Sequence, residues 1–272
     1  MIGTIVKAYM IRFKAIVKSL SILSLSLGVG VVALAVIPGF LGSELYTPIT
    51  RQALVYLATK ILGIHSTELP KGALGAVDAA IYAPYLSAMV AASVAPYAVV
   101  SIFAEDRDEG VFEVLFSAPV TRRSIIITLL IYTLLASLIT ATILEAAVAG
   151  VSLLSLHLLG YLSSLGTYYT KLSIMLVPSS TFSASLTSLA LTIIMSSLRR
   201  TGTGLTSVQN IALAIPLILS SLPPTILFII LNTMPQTDPV DLALYNLIYS
   251  ALLALILLPL LPRILKEEAL LR

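Results

Sequence analysis

The chain has 272 residues, of which 58% are hydrophobic and 11% charged, and its mean hydropathy is +1.03. Soluble domains carry about 25% charged residues. The 16 basic and 13 acidic side chains here are too few to cover a water-facing globule, so a soluble enzyme, a nucleic-acid binder and a disordered chain all fit poorly despite a sequence pI near 9.1. The absence of cysteine removes disulfide frameworks, thiolate metal sites and cysteine nucleophiles. The composition is that of an all-α integral membrane protein, taken as a single transmembrane domain over residues 1–272.

Residues 1–18 place Ile2, Ile5, Tyr9, Phe13 and Ile16 on one helical face and Lys7, Lys14 and Lys18 on the other. A basic amphipathic helix lies in the membrane interface, so the reading is an interfacial helix over 1–19; the alternative is a plain extension of the first span. A crossing helix needs about 20 mostly apolar residues, and Ser21 to Leu41 is the first such run. Ala33-Leu34-Ala35 resembles a signal cleavage site. The run exceeds a signal h-region, however, and further spans follow, which favours retention.

The outer loop, 42–78, is the longest polar segment, with helical spacing over Pro48–Leu62 and a turn at Pro70-Lys71-Gly72. It caps the outer side or serves as a plain connector. The second span runs from Ala79 to Ala104 and carries Pro84 and Pro96.

The segment 105–123 reads EDRDEGVFEVLFSAPVTRR, with five acids and three arginines around Val111, Phe112, Val114, Leu115 and Phe116. Acids at the front suit a helix N-terminus, and Pro119 ends that helix. Such a helix lies on the membrane or inserts its apolar side into a groove of a soluble partner; its acidic face would be repelled by anionic lipid, which favours the partner. The alternative is a solvated loop that fixes topology.

The spacing of Glu105, Gly110, Glu113, Leu115 and Pro119, followed by Val120-Thr121-Arg122, resembles the signature of type 2 ABC-transporter permeases. Asp106-Arg107-Asp108-Glu109 and Val111 depart from the family's more frequent alternation of Glu and Arg and from its Thr. The six spans, the interfacial helix and Met234-Pro235-Gln236-Thr237-Asp238-Pro239 before the last span are consistent with the same family. The resemblance implies that Glu105, Gly110, Glu113, Leu115, Pro119 and Arg122 belong to a cytoplasmic coupling helix between spans two and three that docks on a separate ATP-binding subunit.

The third span runs from Ser124 to about Gly150 and holds Glu145, the one ionisable residue placed inside a span. Such residues usually face the bundle interior or a water path, so Glu145 is the candidate for a pathway or gating role; the plainer alternatives put it near the outer headgroups or hydrogen-bonded to a neighbouring helix. Residues 151–170, with Gly160, Gly166, Tyr161, Tyr168 and Tyr169, read as an excursion on the outer surface, with tyrosines at headgroup level. The fourth span is Leu172–Leu198, the fifth Leu205–Leu231 and the sixth Leu242–Pro262. Gln209 and Asn210 in the fifth are weaker candidates, read as helix-packing contacts.

Twelve of the 16 basic residues fall before the first span, between spans two and three, between four and five, or after six; Arg51, Lys60, Lys71 and Lys171 fall on the other side. The positive-inside rule then puts both termini in the cytoplasm, with the chain in the plasma membrane.

No G-x-x-x-x-G-K-[ST] phosphate loop occurs; Thr201-Gly202-Thr203-Gly204 lacks the lysine. His65 and His157 lack zinc-ligand spacing, so no metal or cofactor is assigned to this chain, and it is not read as an enzyme. The expected function is the membrane subunit of an ATP-driven ABC exporter. A second permease copy or homologue completes the pathway, and ATP and Mg sit on the partner subunit. The alternatives are a non-transporting membrane anchor or assembly factor, and an intramembrane enzyme.

Overall fold

The computed structural model describes residues 2–38, 46–63, 72–108, 117, 122–198 and 205–264, with side chains chiefly within 17–38, 46–63, 72–99, 130–192 and 218–261. Helix α1 spans Ile2–Ala35, α2 Pro48–Leu62 and α3 Ala73–Val77; a π-helical segment, Asp78–Tyr82, joins α3 to α4, Ala83–Asp108. Then come α5 (Arg122–Leu158), α6 (Leu162–Leu198), α7 (Leu205–Thr233) and α8 (Pro239–Ile264). The described residues contain no strand.

Five stretches are long and apolar enough to cross a membrane: Val17–Ala35, Ala73–Val99, Leu130–Leu158, Leu162–Thr192 and Pro239–Leu261. The described part of α7 contributes a shorter apolar run, Ile218–Thr233. Helices α4 and α6 form the centre, mostly buried and packed on each other, while α1 leans on α5 and α8 on α6. On the periphery Val29 and Leu34 of α1 are each 69% exposed and Leu255 of α8 73%. Apolar side chains this open suit hydrocarbon rather than water.

The centre is built from small residues. Ala88, Ala91, Ala92, Ala95 and Ala98 of α4 are buried, as are Ser180, Ser183, Ala184 and Ser188 of α6. Small side chains let backbones approach closely, which matters where lipid removes the hydrophobic drive between helices. Many hydroxyls are satisfied within their own helix: Ser137 Oγ donates to the Thr133 carbonyl at 3.0 Å and Thr181 Oγ1 to that of Val177 at 2.7 Å. On α1, a Cβ at buried Gly28 would sit 3.1 Å from Leu144 Cδ1, so glycine there keeps α1 against α5.

Four sequence expectations change. Residues 2–18 and the first span form one unbroken helix rather than an interfacial helix followed by a span; no proline or glycine interrupts 4–27.

Residues 151–170 are not a surface excursion. Helix α5 continues to Leu158 and α6 starts at Leu162. Gly160 alone breaks the helix: at φ +81° it takes the left-handed conformation, while Tyr161 N–H bonds the Leu156 carbonyl at 2.8 Å and Gly160 N–H that of His157 at 3.1 Å. Those two bonds close a Schellman stop.

Tyr169, expected at headgroup level, is consequently buried in the core at 2% exposure.

The second span begins at Ala73 rather than Ala79, which takes Asp78 out of the loop and into the bundle.

The outer-loop helix falls where its spacing placed it, over Pro48–Leu62. Thr47 caps its start by accepting from Thr50 N–H at 3.3 Å, and Pro48 occupies the first turn. Ala53, Leu54, Leu57 and Ala58 form its buried face. Lys60 reaches Asp238 Oδ2 at 3.7 Å, and Gly72 packs against Leu159. The α2 helix, the α5–α6 turn and the α7–α8 turn therefore share one end of the bundle. There Asp238 caps α8 through a 2.8 Å bond from Val240 N–H, and the Tyr85 hydroxyl donates to the Pro239 carbonyl at 2.6 Å.

Candidate functional site

Glu145 belongs to the middle of its span. Because α5 runs on to Leu158, Glu145 lies 15 residues after Leu130 and 13 before Leu158 in the 29-residue stretch. A carboxyl group at that depth needs partners, and α6 supplies them. Tyr169 Oη donates to Glu145 Oε1 at 2.6 Å and Ser173 Oγ donates to the same oxygen at 2.5 Å. The second carboxyl oxygen, Oε2, is buried without a hydrogen-bond partner, as are the hydroxyls of Ser87 and Ser152. Ser87 of α4 faces Glu145, and Ser152 of α5 faces Tyr169. The result is a polar centre shared by α4, α5 and α6.

A second polar contact joins α6 to α8. Pro178 sits inside α6, so the Ile174 carbonyl loses its helical donor. One residue on, Ser179 Oγ bonds the Met175 carbonyl. Asn246 of α8 donates from Nδ2 to Ser179 Oγ at 2.7 Å and Ser180 Oγ at 2.9 Å, and Ser250 Oγ donates to the Ser179 carbonyl at 3.0 Å. Asn246 is 2% exposed. It was missed in the sequence because a lone asparagine near the start of an apolar run carries no spacing signal.

Asp78 was also missed. It is 2% exposed, and its Oδ2 has no hydrogen-bond partner. It opens the π-helical segment, in which Ala83 N–H bonds the Asp78 carbonyl five residues back. Pro84 explains the widening: it has no N–H for the Ala80 carbonyl, and its ring crowds that group. The Asp78 side chain lines a cleft of about 530 Å³ between α1, α2, α4 and α7, together with Tyr46, Tyr82, Phe228 and Asn232. Tyr82 Oη donates to Asn232 Oδ1 at 3.1 Å and stacks edge-on against Phe228 with ring centres 5.4 Å apart. Tyr46, outside the spans, has its phenol raised above the usual value by burial and then by the facing Asp78 carboxylate, so it keeps its proton.

Of the residues singled out in the coupling segment, Glu105 lies in the last turn of α4 and Arg122 at the first residue of α5. Gly110, Glu113, Leu115 and Pro119 lie outside the described residues, as does His65. Gln209 and Asn210 are in α7, with their side chains outside the described set. His157 is exposed in the last turn of α5. Among the described residues no group of three or more His, Cys, Asp or Glu side chains could hold a metal ion.

Compared with known proteins, the chain matches no family model, and no curated protein and no solved structure is significantly similar to it.

Proposed function

We propose that this chain is the membrane subunit of an ATP-driven exporter of the type 2 ABC class, which it resembles in the segment between its second and third spans. The observation that carries this reading is the spacing of Glu105, Gly110, Glu113, Leu115 and Pro119. Helix α4 ends at Asp108 and α5 begins at Arg122, so the segment between them links the second span to the third. A short acidic segment held between two rigid helices is suited to transmit the motion of a docked ATPase to both.

In this reading the chain crosses the plasma membrane six times, α7 being the fifth span. Its 29 residues cover about 43 Å at 1.5 Å each, more than the roughly 30 Å of hydrocarbon. Six crossings agree with the basic-residue count that puts both termini in the cytoplasm. Two copies, or this chain and a homologue, enclose the pathway. Glu145 and its hydroxyl partners form a polar station at mid-depth. The ATP-binding subunit supplies the nucleotide site and Mg.

Purification of the tagged chain from its native membrane in mild detergent tests this reading. A P-loop ATPase in near-equal amount is expected among the co-eluting proteins. A chain that elutes alone, under conditions that keep other membrane complexes intact, would shift the weight to a non-transporting anchor.

A further inference from the structure

The cleft beside Asp78 has the chemistry of a cation site. The Asp78 carboxyl group is buried, with the Tyr46 hydroxyl as its polar neighbour. Among the described residues no lysine or arginine pairs with it, and Lys60 at the same end of the bundle is engaged by Asp238 and the Gln236 carbonyl. Tyr46 Oη is buried beside the Asp78 carboxyl group. Asn232 Oδ1 accepts only from Tyr82 and keeps a second lone pair. All three residues line one space, whose other walls include Leu34, Phe228 and Ile229.

We propose that this cleft binds the ammonium group of an amphipathic amine, with the Asp78 carboxyl group as the anchor and the apolar part of the ligand lying along Leu34, Phe228 and Ile229. An ammonium presents three N–H donors, one for each oxygen. The aromatic rings of Tyr46, Tyr82 and Phe228 favour a cation over a neutral group. A carboxylate or phosphate ligand finds no lysine or arginine in the lining. A bare calcium ion needs six to eight oxygen ligands, which one carboxylate among apolar walls does not offer. The volume of about 530 Å³ lies within the ordinary range for small-molecule sites, about 300–1,000 Å³. The site stands on its own geometry and requires no ATPase and no transport.

The test is calorimetric titration of the purified chain in phosphatidylcholine nanodiscs, with empty nanodiscs subtracted. The probes are 4-phenylbutylamine, its neutral counterpart 4-phenylbutanol, and 4-phenylbutyrate. Saturable amine binding at least tenfold tighter than the alcohol, with no binding of the acid, is expected. Asp78→Asn, close in shape, should abolish that preference, and Tyr46→Phe should weaken the amine several-fold without affecting the alcohol. Equal affinity for amine and alcohol, or a preference unchanged in both variants, would overturn the proposal. Repeating the titration with phosphatidylethanolamine in the nanodiscs separates the sources of the amine. Weaker probe binding there identifies a lipid headgroup as the occupant, and unchanged binding identifies a soluble amine. Because the chain is tested alone, failure here leaves the exporter reading untouched, and failure of the exporter reading leaves this site standing.

Discussion

Tyr169 Oη lies 2.6 Å from Glu145 Oε1, joining α6 to α5 at the middle of the third span. The two residues are 24 positions apart, and they meet only because a tight turn at Gly160 folds two long helices against each other. The polar centre of the bundle depends on that hairpin.

Removing the acceptor should cost more than removing the pair. Glu145→Ala leaves the Tyr169 hydroxyl buried without a partner, an expected loss of about 1–3 kcal/mol. Glu145→Gln keeps a carbonyl oxygen and should lose less. Tyr169→Phe added to Glu145→Ala should recover part of the loss, since the orphaned hydroxyl goes with it. Thermal unfolding of the four proteins in one detergent measures the order; a double variant no more stable than Glu145→Ala would show that the orphaned hydroxyl carries no penalty.

The hairpin stop itself is open to a one-atom test. Gly160 has φ +81° and open space where a Cβ would go, so Gly160→Ala meets backbone strain and no clash. A left-handed alanine costs about 1–2 kcal/mol, and the unfolding temperature should fall accordingly. An unchanged temperature would mean that the turn relaxes.

At the α6–α8 contact the polarity of the bonds sets the ranking. Asn246 donates twice to serine oxygens, whereas an ionised aspartate has no donor to offer. Asn246→Ala should lose up to about 1.7 kcal/mol, the upper measured range for such interhelical bonds, and Asn246→Asp more. Unfolding in detergent should therefore rank wild type above Asn246→Ala above Asn246→Asp, and the reverse order of the two variants would disprove the donor assignment.

Because these 272 residues contain no cysteine, single cysteines report topology without a background. With six crossings, Thr203→Cys should react with an impermeant maleimide only from the cytoplasmic side and Thr237→Cys only from outside. Labelling of both from the same side would remove α7 from the spans.

In the proposed coupling segment, Glu113→Ala should leave membrane insertion intact while abolishing stimulation of the partner's ATPase. Full stimulation in that variant, with transport retained, counts against the coupling role.

Composition and run length were enough to establish an all-helical chain with long apolar helices, because a bilayer leaves few other ways to satisfy the backbone. The α2 helix was legible as well, from its helical spacing over Pro48–Leu62. Boundaries were read less well around Gly150 and Ala79. Residues 151–158 and 162–170 contain enough serine, glycine and tyrosine to resemble a loop, yet helix continues wherever neighbouring helices absorb the polar groups. Glu145 stood out in the sequence as a lone charge in an apolar run, but its partners did not: hydroxyls are common throughout these spans, and nothing in their spacing singles out Tyr169 and Ser173.

The sequence by itself therefore determined the class of solvent this protein meets, the helices that meet it and the single mid-span carboxylate. Only the tertiary structure decided that Asp78 is interior rather than loop, that it lines a cleft with Tyr46 and Asn232, and that Asn246 ties α8 to α6. The reason is physical: hydrophobic runs and helix stops are local properties of a chain, whereas the burial of one polar atom is set by side chains up to 150 or more residues away, as with Tyr82 and Asn232.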